Sequence, residues 1–190
     1  MKIALYRGTS LVSLMIRWIT RSPYSHAAFA FDAHSRGVLA QLEGEGKAGK
    51  LSDLAWPNNP MSRLGPFHGP VVEAWQGGVK ASPSLATLHT PGTKVDLFRF
   101  KHVLTVAEER SLILLLAGDI GDPYSYWNVL KFITRRPGNL DGSWFCSELV
   151  FDRCAKIGRR LLERKKAWAV PPDWLQMPTE LEYEGQEVTP

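Results

Sequence analysis

The sequence predicts an α+β domain, a central antiparallel sheet packed against helices. Three observations predict it. Short runs of strand composition stand at 1–6, 26–33, 71–75 and 94–100, with turn residues between them. Helical periodicity appears at 11–20, 107–117 and 144–158. The order is one helix, several strands, then helices, without the strict alternation that a parallel sheet requires. At 190 residues the chain can bury its own core, and no repeat or linker divides it, so 1–190 reads as one domain.

The elements follow in order. MKIALY is a strand. Gly8-Thr9-Ser10 is a turn, and Ser10 is placed to cap a helix over 11–20. Leu11, Leu14, Met15, Trp18 and Ile19 keep the rhythm of an amphipathic helix. Arg21-Ser22-Pro23 ends it. HAAFAFDA is a buried strand, Ser35-Arg36-Gly37 a turn, and VLAQLE at 38–43 a second strand. Residues 44–70 are rich in Gly and Pro and read as loop, so about 38–70 holds an inserted loop or lid. VVEAW at 71–75 is a strand ended by Gly77-Gly78, and KVDLFRF at 94–100 is another.

Helix 107–117 has Glu108 and Glu109 in its first turn. Gly121-Asp122-Pro123 breaks the chain before a weaker helix over 124–133, and a turn follows at 136–139. Ser143 reads as the N-cap of a helix from Trp144 to about Gly158. The tail from Pro171 is expected to wrap the surface.

Composition narrows the classes. A hydrophobic fraction of 44% and a charged fraction of 22% are those of a globular protein. The net charge of +4 is a mild excess. Its basic residues sit in short groups without interleaved aromatics, so no nucleic-acid partner is expected. A solvated face explains them, or an anionic partner such as a lipid headgroup or wall polymer. No signal peptide and no spanning segment is read, which points to a cytoplasmic or phage-delivered protein. Cys146 and Cys154 are eight residues apart, too far for a disulfide on one helix and without zinc-ligand spacing.

The chemistry rests on SWFCSELV at 143–150. With Ser143 as N-cap, Cys146 lies in the first turn, where free N–H groups and the helix dipole favour a thiolate. The same groups can hold an oxyanion. Packing as a small hydrophobe is the competing reading of Cys146, and the favoured one for mid-helix Cys154. A thiol nucleophile needs a base. Of the five histidines, His34, His68, His89 and His102 read as surface residues. His26 opens an apolar strand after a turn, so the sheet would fix its backbone. Glu73, inside VVEAW, is the candidate to orient the imidazole, with Glu43 as the alternative.

With these residues in place the chain resembles the permuted papain-like amidases. These are the circularly permuted YaeF/YiiX-like branch of the NlpC/P60 superfamily. The matching blocks are LYRG at 5–8, LVSLMIRWITRSPYSH at 11–26, VVEAWQGGV at 71–79, GDPYSY at 121–126, FCSELV at 145–150 and VPPDWLQMP at 170–178. They run over most of the chain, and His26 precedes Cys146, the reverse of the ordinary order. About forty residues between the His26 strand and VVEAW depart from the short hairpin usual there. The resemblance implies a papain-like fold in permuted order, with the cysteine helix against the sheet. It also implies a cysteine hydrolase of amide bonds with Cys146 and His26 as its dyad, and the long intervening segment leaves the third position open between Glu73 and Glu43. No metal or organic cofactor is expected. Tyr24 is a candidate oxyanion donor, and Trp75, Trp127 and Trp144 are candidate cleft walls. The superfamily suggests bacterial cell-wall peptide as substrate and a phage or cell-envelope assembly as setting. The alternatives are acyl transfer on lipids at a membrane surface, of the lecithin:retinol acyltransferase type, and a structural or binding module with the dyad unused.

Overall fold

A computed structural model of the chain describes residues 1–52, 69–124, 144–161 and 180–190. Six antiparallel strands form one sheet: β1 (Lys2–Arg7), β2 (His26–Ala30), β3 (Val71–Trp75), β4 (Gly78–Ser82), β5 (Lys94–Phe100) and β6 (Leu181–Val188). Their spatial order is β4-β3-β2-β1-β5-β6. Among the described residues four α-helices accompany them: α1 (Leu11–Thr20), α2 (Ala33–Gly44), α3 (Val106–Asp119) and α4 (Cys146–Lys156). The expected helix beyond Tyr124, the turn at 136–139, Ser143, Trp127, VPPDWLQMP and the 53–68 part of the inserted segment lie outside the described residues.

The central strands are buried on both faces. On one face Ile3, Leu5, Ala27, Phe29, Val72 and Ala74 meet apolar side chains of α2, α3 and α4. The other face carries Ala4, Tyr6, Ala28, Ala30, Val71 and Val95, and Leu85 from the β4–β5 loop packs on it. Strand side chains alternate between faces. His26, in step with Ala28 and Ala30, therefore projects on this second face, and so does Glu73, in step with Val71.

Four local expectations are corrected. VLAQLE belongs to α2, not to a strand. Asp32 caps that helix by accepting the Ser35 N–H at 2.9 Å, and Val38, Leu39 and Leu42 line its buried side. Gly37, read as a turn residue, lies within the helix. The chain continues past VVEAW through Gln76-Gly77 into β4, with Trp75 paired to Gly78. The described end of the tail, Leu181–Val188, pairs along all of β5 as the edge strand β6. The cysteine helix begins at Cys146, with Phe145 at the N-cap and no side-chain cap, so the thiol residue is the first of the helix.

The α1 boundaries are as the periodicity predicts. Ser10 caps it through the Ser13 N–H, and Arg21 closes it in the left-handed region at φ 54°. Its apolar side nevertheless faces outward: Leu11 is 85% and Trp18 81% exposed, and only Ile16 is buried.

Candidate functional site

Beside its first residue, α4 packs on β2 and β3. Those two strands pair only at Phe29–Val72 and Ala30–Val71. Toward His26 and Trp75 they separate. The backbone amides of Ala27 and Ser147, and its own, lie by the Cys146 thiol and pull its pKa down. The cysteine helix thus packs on both the strand that carries His26 and the strand that carries Glu73, and the thiol lies near enough to Glu73 to feel its charge.

The thiol is 1% exposed. Burial pushes it up to about 12, against the pull of the three N–H groups, and the Glu73 charge adds to the rise. The helix N-terminus was expected to favour a thiolate. Desolvation outweighs it, and Cys146 rests as a thiol. Cys154 is wholly buried, and desolvation raises its thiol as well.

His26 and Glu73 meet. Nε2 of His26 lies 2.6 Å from Glu73 Oε2 in a buried contact. His89 reaches the same oxygen at 3.0 Å, its side chain only 4% exposed. Burial raises the Glu73 carboxyl, but hydrogen bonds from both rings overcome it and bring the group down to about 2. The anionic carboxylate accepts, so each Nε2 carries a proton. A neutral His26 thus holds its proton on Nε2 and leaves Nδ1 basic. Desolvation lowers the His26 pKa; Glu73 opposes this and His89 adds to it.

Aromatic rings enclose the group. Tyr6 stacks on His89 with centroids 3.8 Å apart, and Trp75 meets His26 edge-on at 4.8 Å and His89 at 4.7 Å. His26, His89 and Trp75 line a pocket closed on one side by Val12, Ser13 and Ile16 of α1. Cys146 is not among the residues lining it.

The remaining sequence candidates fall elsewhere. Glu43 lies half-buried on α2, whereas the carboxylate on His26 is Glu73. The Tyr24 hydroxyl donates to Asp96 at 2.6 Å, in a cluster with Arg7 and Gln186, so its one proton is already committed. Burial and then the Asp96 charge push this phenol up to about 12. Trp144 packs under the Arg153 guanidinium and donates to Asp122 at 3.0 Å; it does not line the pocket. His34 and His102 are exposed, as expected, but His89 is not a surface residue. Its loop shows no periodicity. The one available signal was the pair of apolar residues Leu85 and Leu88 close before His89, and Leu85 packs on the sheet.

Among the described residues no helix is long and apolar enough to cross a membrane. No family model matches the chain, and no curated protein matches it. A solved structure does: the metalloprotein yiiX from Escherichia coli O157:H7, DUF1105, at 17% identity and a TM-score of 0.59, over 98% of this chain and 96% of that one. At that identity the likeness is one of fold: this chain shares the α+β, single-sheet architecture of a yiiX-type protein.

Proposed function

We propose that the protein is a thiol acyl hydrolase of the permuted papain-like type, with Cys146 as nucleophile, His26 as base and Glu73 as the residue that positions His26. One observation carries the reading: the helix that opens on Cys146 packs on the two strands that bring His26 and Glu73 together at 2.6 Å. The Cys146 proton passes to Nδ1 of His26 as the sulfur bonds to the acyl carbon. The carbonyl oxygen takes the negative charge and is held by the N–H of Cys146 and of Ala27. The amine departs with the proton from Nδ1, and water releases the acyl group. Because the thiol is closed off at rest, turnover draws on a state in which it is uncovered. An amide in bacterial cell-wall peptide is the proposed substrate, and a phage or cell-envelope assembly the proposed setting.

The test is acylation. Incubation with an activated ester and with peptidoglycan-derived amides should add one acyl group, located by mass spectrometry at Cys146. Cys146→Ala should abolish it. His26→Ala should slow it by about 10²–10⁴-fold, the usual worth of a positioned base. Acylation that is absent, or that survives Cys146→Ala, sinks the reading and leaves a binding or structural module.

A second reading, acyl transfer at a lipid surface, is favoured by α1. Leu11, Val12, Leu14, Met15 and Trp18 are all exposed, Arg17 and Arg21 flank them, and no acidic residue lies in the helix. This is the composition of an interfacial helix, and it stands beside the pocket. Binding to phosphatidylglycerol vesicles should be salt-sensitive and should fall at least tenfold in Trp18→Ser with Leu11→Ser. Equal binding by that variant removes the reading.

A further inference from the structure

His26, Glu73 and His89 offer three ligand atoms that all lie within 4.8 Å of one another. They come from three separate parts of the fold: the start of β2, the middle of β3 and the β4–β5 loop. Both imidazoles direct Nε2 at one carboxylate oxygen, at 2.6 and 3.0 Å. A tetrahedral site with bonds of ~2.1 Å has ligand atoms about 3.4 Å apart. The three atoms thus reach an ion by small side-chain shifts, without moving a strand. The donor set of two imidazoles and one carboxylate is that of metal sites that keep a position open.

Two buried polar atoms give independent support. Oε1 of Glu73 has no hydrogen-bond partner, although the residue is 1% exposed. The hydroxyl of Tyr6, whose ring stacks on His89, also has none. Leaving such groups unsatisfied costs about 1–3 kcal/mol each. A carboxylate buried between two imidazoles with half its acceptor capacity unused is poorly explained as a structural ion pair. It is well explained as one ligand of a cation. The pocket gives the ion an entry path, since both histidines line it.

We infer that His26, Glu73 and His89 form a site for a divalent transition-metal ion of the zinc class, and that an ion there switches off the thiol chemistry by claiming His26. The second half rests on the hydrolase reading; the site itself does not. To bind through Nε2, the neutral His26 ring must carry its proton on Nδ1 instead. The nitrogen that would receive the Cys146 proton is then already protonated. Metal occupancy and thiol catalysis exclude one another. This departs from the expectation of a metal-free protein.

The experiment uses the full chain, freed of metal by a chelator and then titrated with Zn²⁺ against a chromophoric chelator, and with Co²⁺ followed by visible absorption. One equivalent of Zn²⁺ should bind, and Co²⁺ should give the strong visible band of low coordination number. Cys146→Ala and Cys154→Ala should leave both unchanged. Glu73→Gln and His89→Ala should weaken binding at least 100-fold, with circular dichroism showing the fold retained. His89→Gln serves if His89→Ala does not fold. Binding of less than one equivalent, undiminished binding in the His89 variants, or loss of binding in Cys146→Ala overturns the site. On acylation by the activated ester, one equivalent of Zn²⁺ should reduce the rate of the metal-free protein at least tenfold, reversibly with chelator. Metal binding without that inhibition overturns the switch and leaves the site. Metal binding in a chain that never acylates leaves the site and removes the hydrolase reading alone.

Discussion

At Cys146 two local effects oppose each other. The first turn of a helix favours a thiolate, and complete burial disfavours it more. With the thiol up at about 12, alkylation by iodoacetamide at pH 7.5 should run more than tenfold slower than for a free thiol, and mass mapping at timed intervals measures it. The residue identities at 26, 73 and 146 were legible because each breaks its surroundings: a histidine opening an apolar strand, a carboxylate inside one, a cysteine at a helix start. His89 was not legible. Its burial comes from a loop folding over the sheet, and nothing in the spacing of SPSLATLHTPGT records that.

At the scale of elements, α4 is held by more than its apolar side. Arg153 donates to both Asp119 oxygens, at 2.6 Å each, and so ties the cysteine helix to the end of α3. Arg153→Ala strands the Asp119 carboxylate in a nearly buried position. The expected cost is about 3–5 kcal/mol, read as a lower urea midpoint with m unchanged. The α3 helix was legible to within two residues from its periodicity and the Glu108 and Glu109 of its first turn, and in the structure a Thr105–Glu108 capping box sets its start. The α2 helix was misread because Gly37 was given the weight of a turn. Asp32 and Ser35 had already set a helix start, and burial of Val38, Leu39 and Leu42 offsets the glycine. Strand β4 was missed for a related reason. Gly78, at φ 126°, was read as a terminator, whereas it lets the hairpin come against the Asp122 carbonyl, 2.5 Å from where a Cβ would stand.

For the whole molecule, the buried site makes stability depend on pH. The folded-state pKa of His26 lies below its ordinary 6.5, so the unfolded chain takes up that proton first. Its contribution is complete above pH 6.5 and is lost as pH falls through the lowered value. Glu73, down from 4.5 to about 2, adds a second loss between those values. The melting temperature should therefore hold from pH 8 to 7 and decline from about pH 6.5 downward in chelator-treated protein. Scanning calorimetry across pH 8 to 4 tests it, and a flat profile to pH 5 contradicts the buried, neutral histidine.

The sequence by itself determined an α+β class, four of the six strands, the helix at 11–20 and, from its reading of 107–117, the helix at 106–119, and it singled out Cys146, His26 and Glu73 as candidates. All of these are written in local periodicity, caps and out-of-place polar groups. Only the tertiary structure decided how those residues meet. It set Glu73 rather than Glu43 on His26, brought His89 in from a loop, took Tyr24 away to Asp96, paired β6 along β5, and left the apolar side of α1 facing outward. Each of these depends on which segments pack together across long stretches of chain, and local spacing carries no information about that.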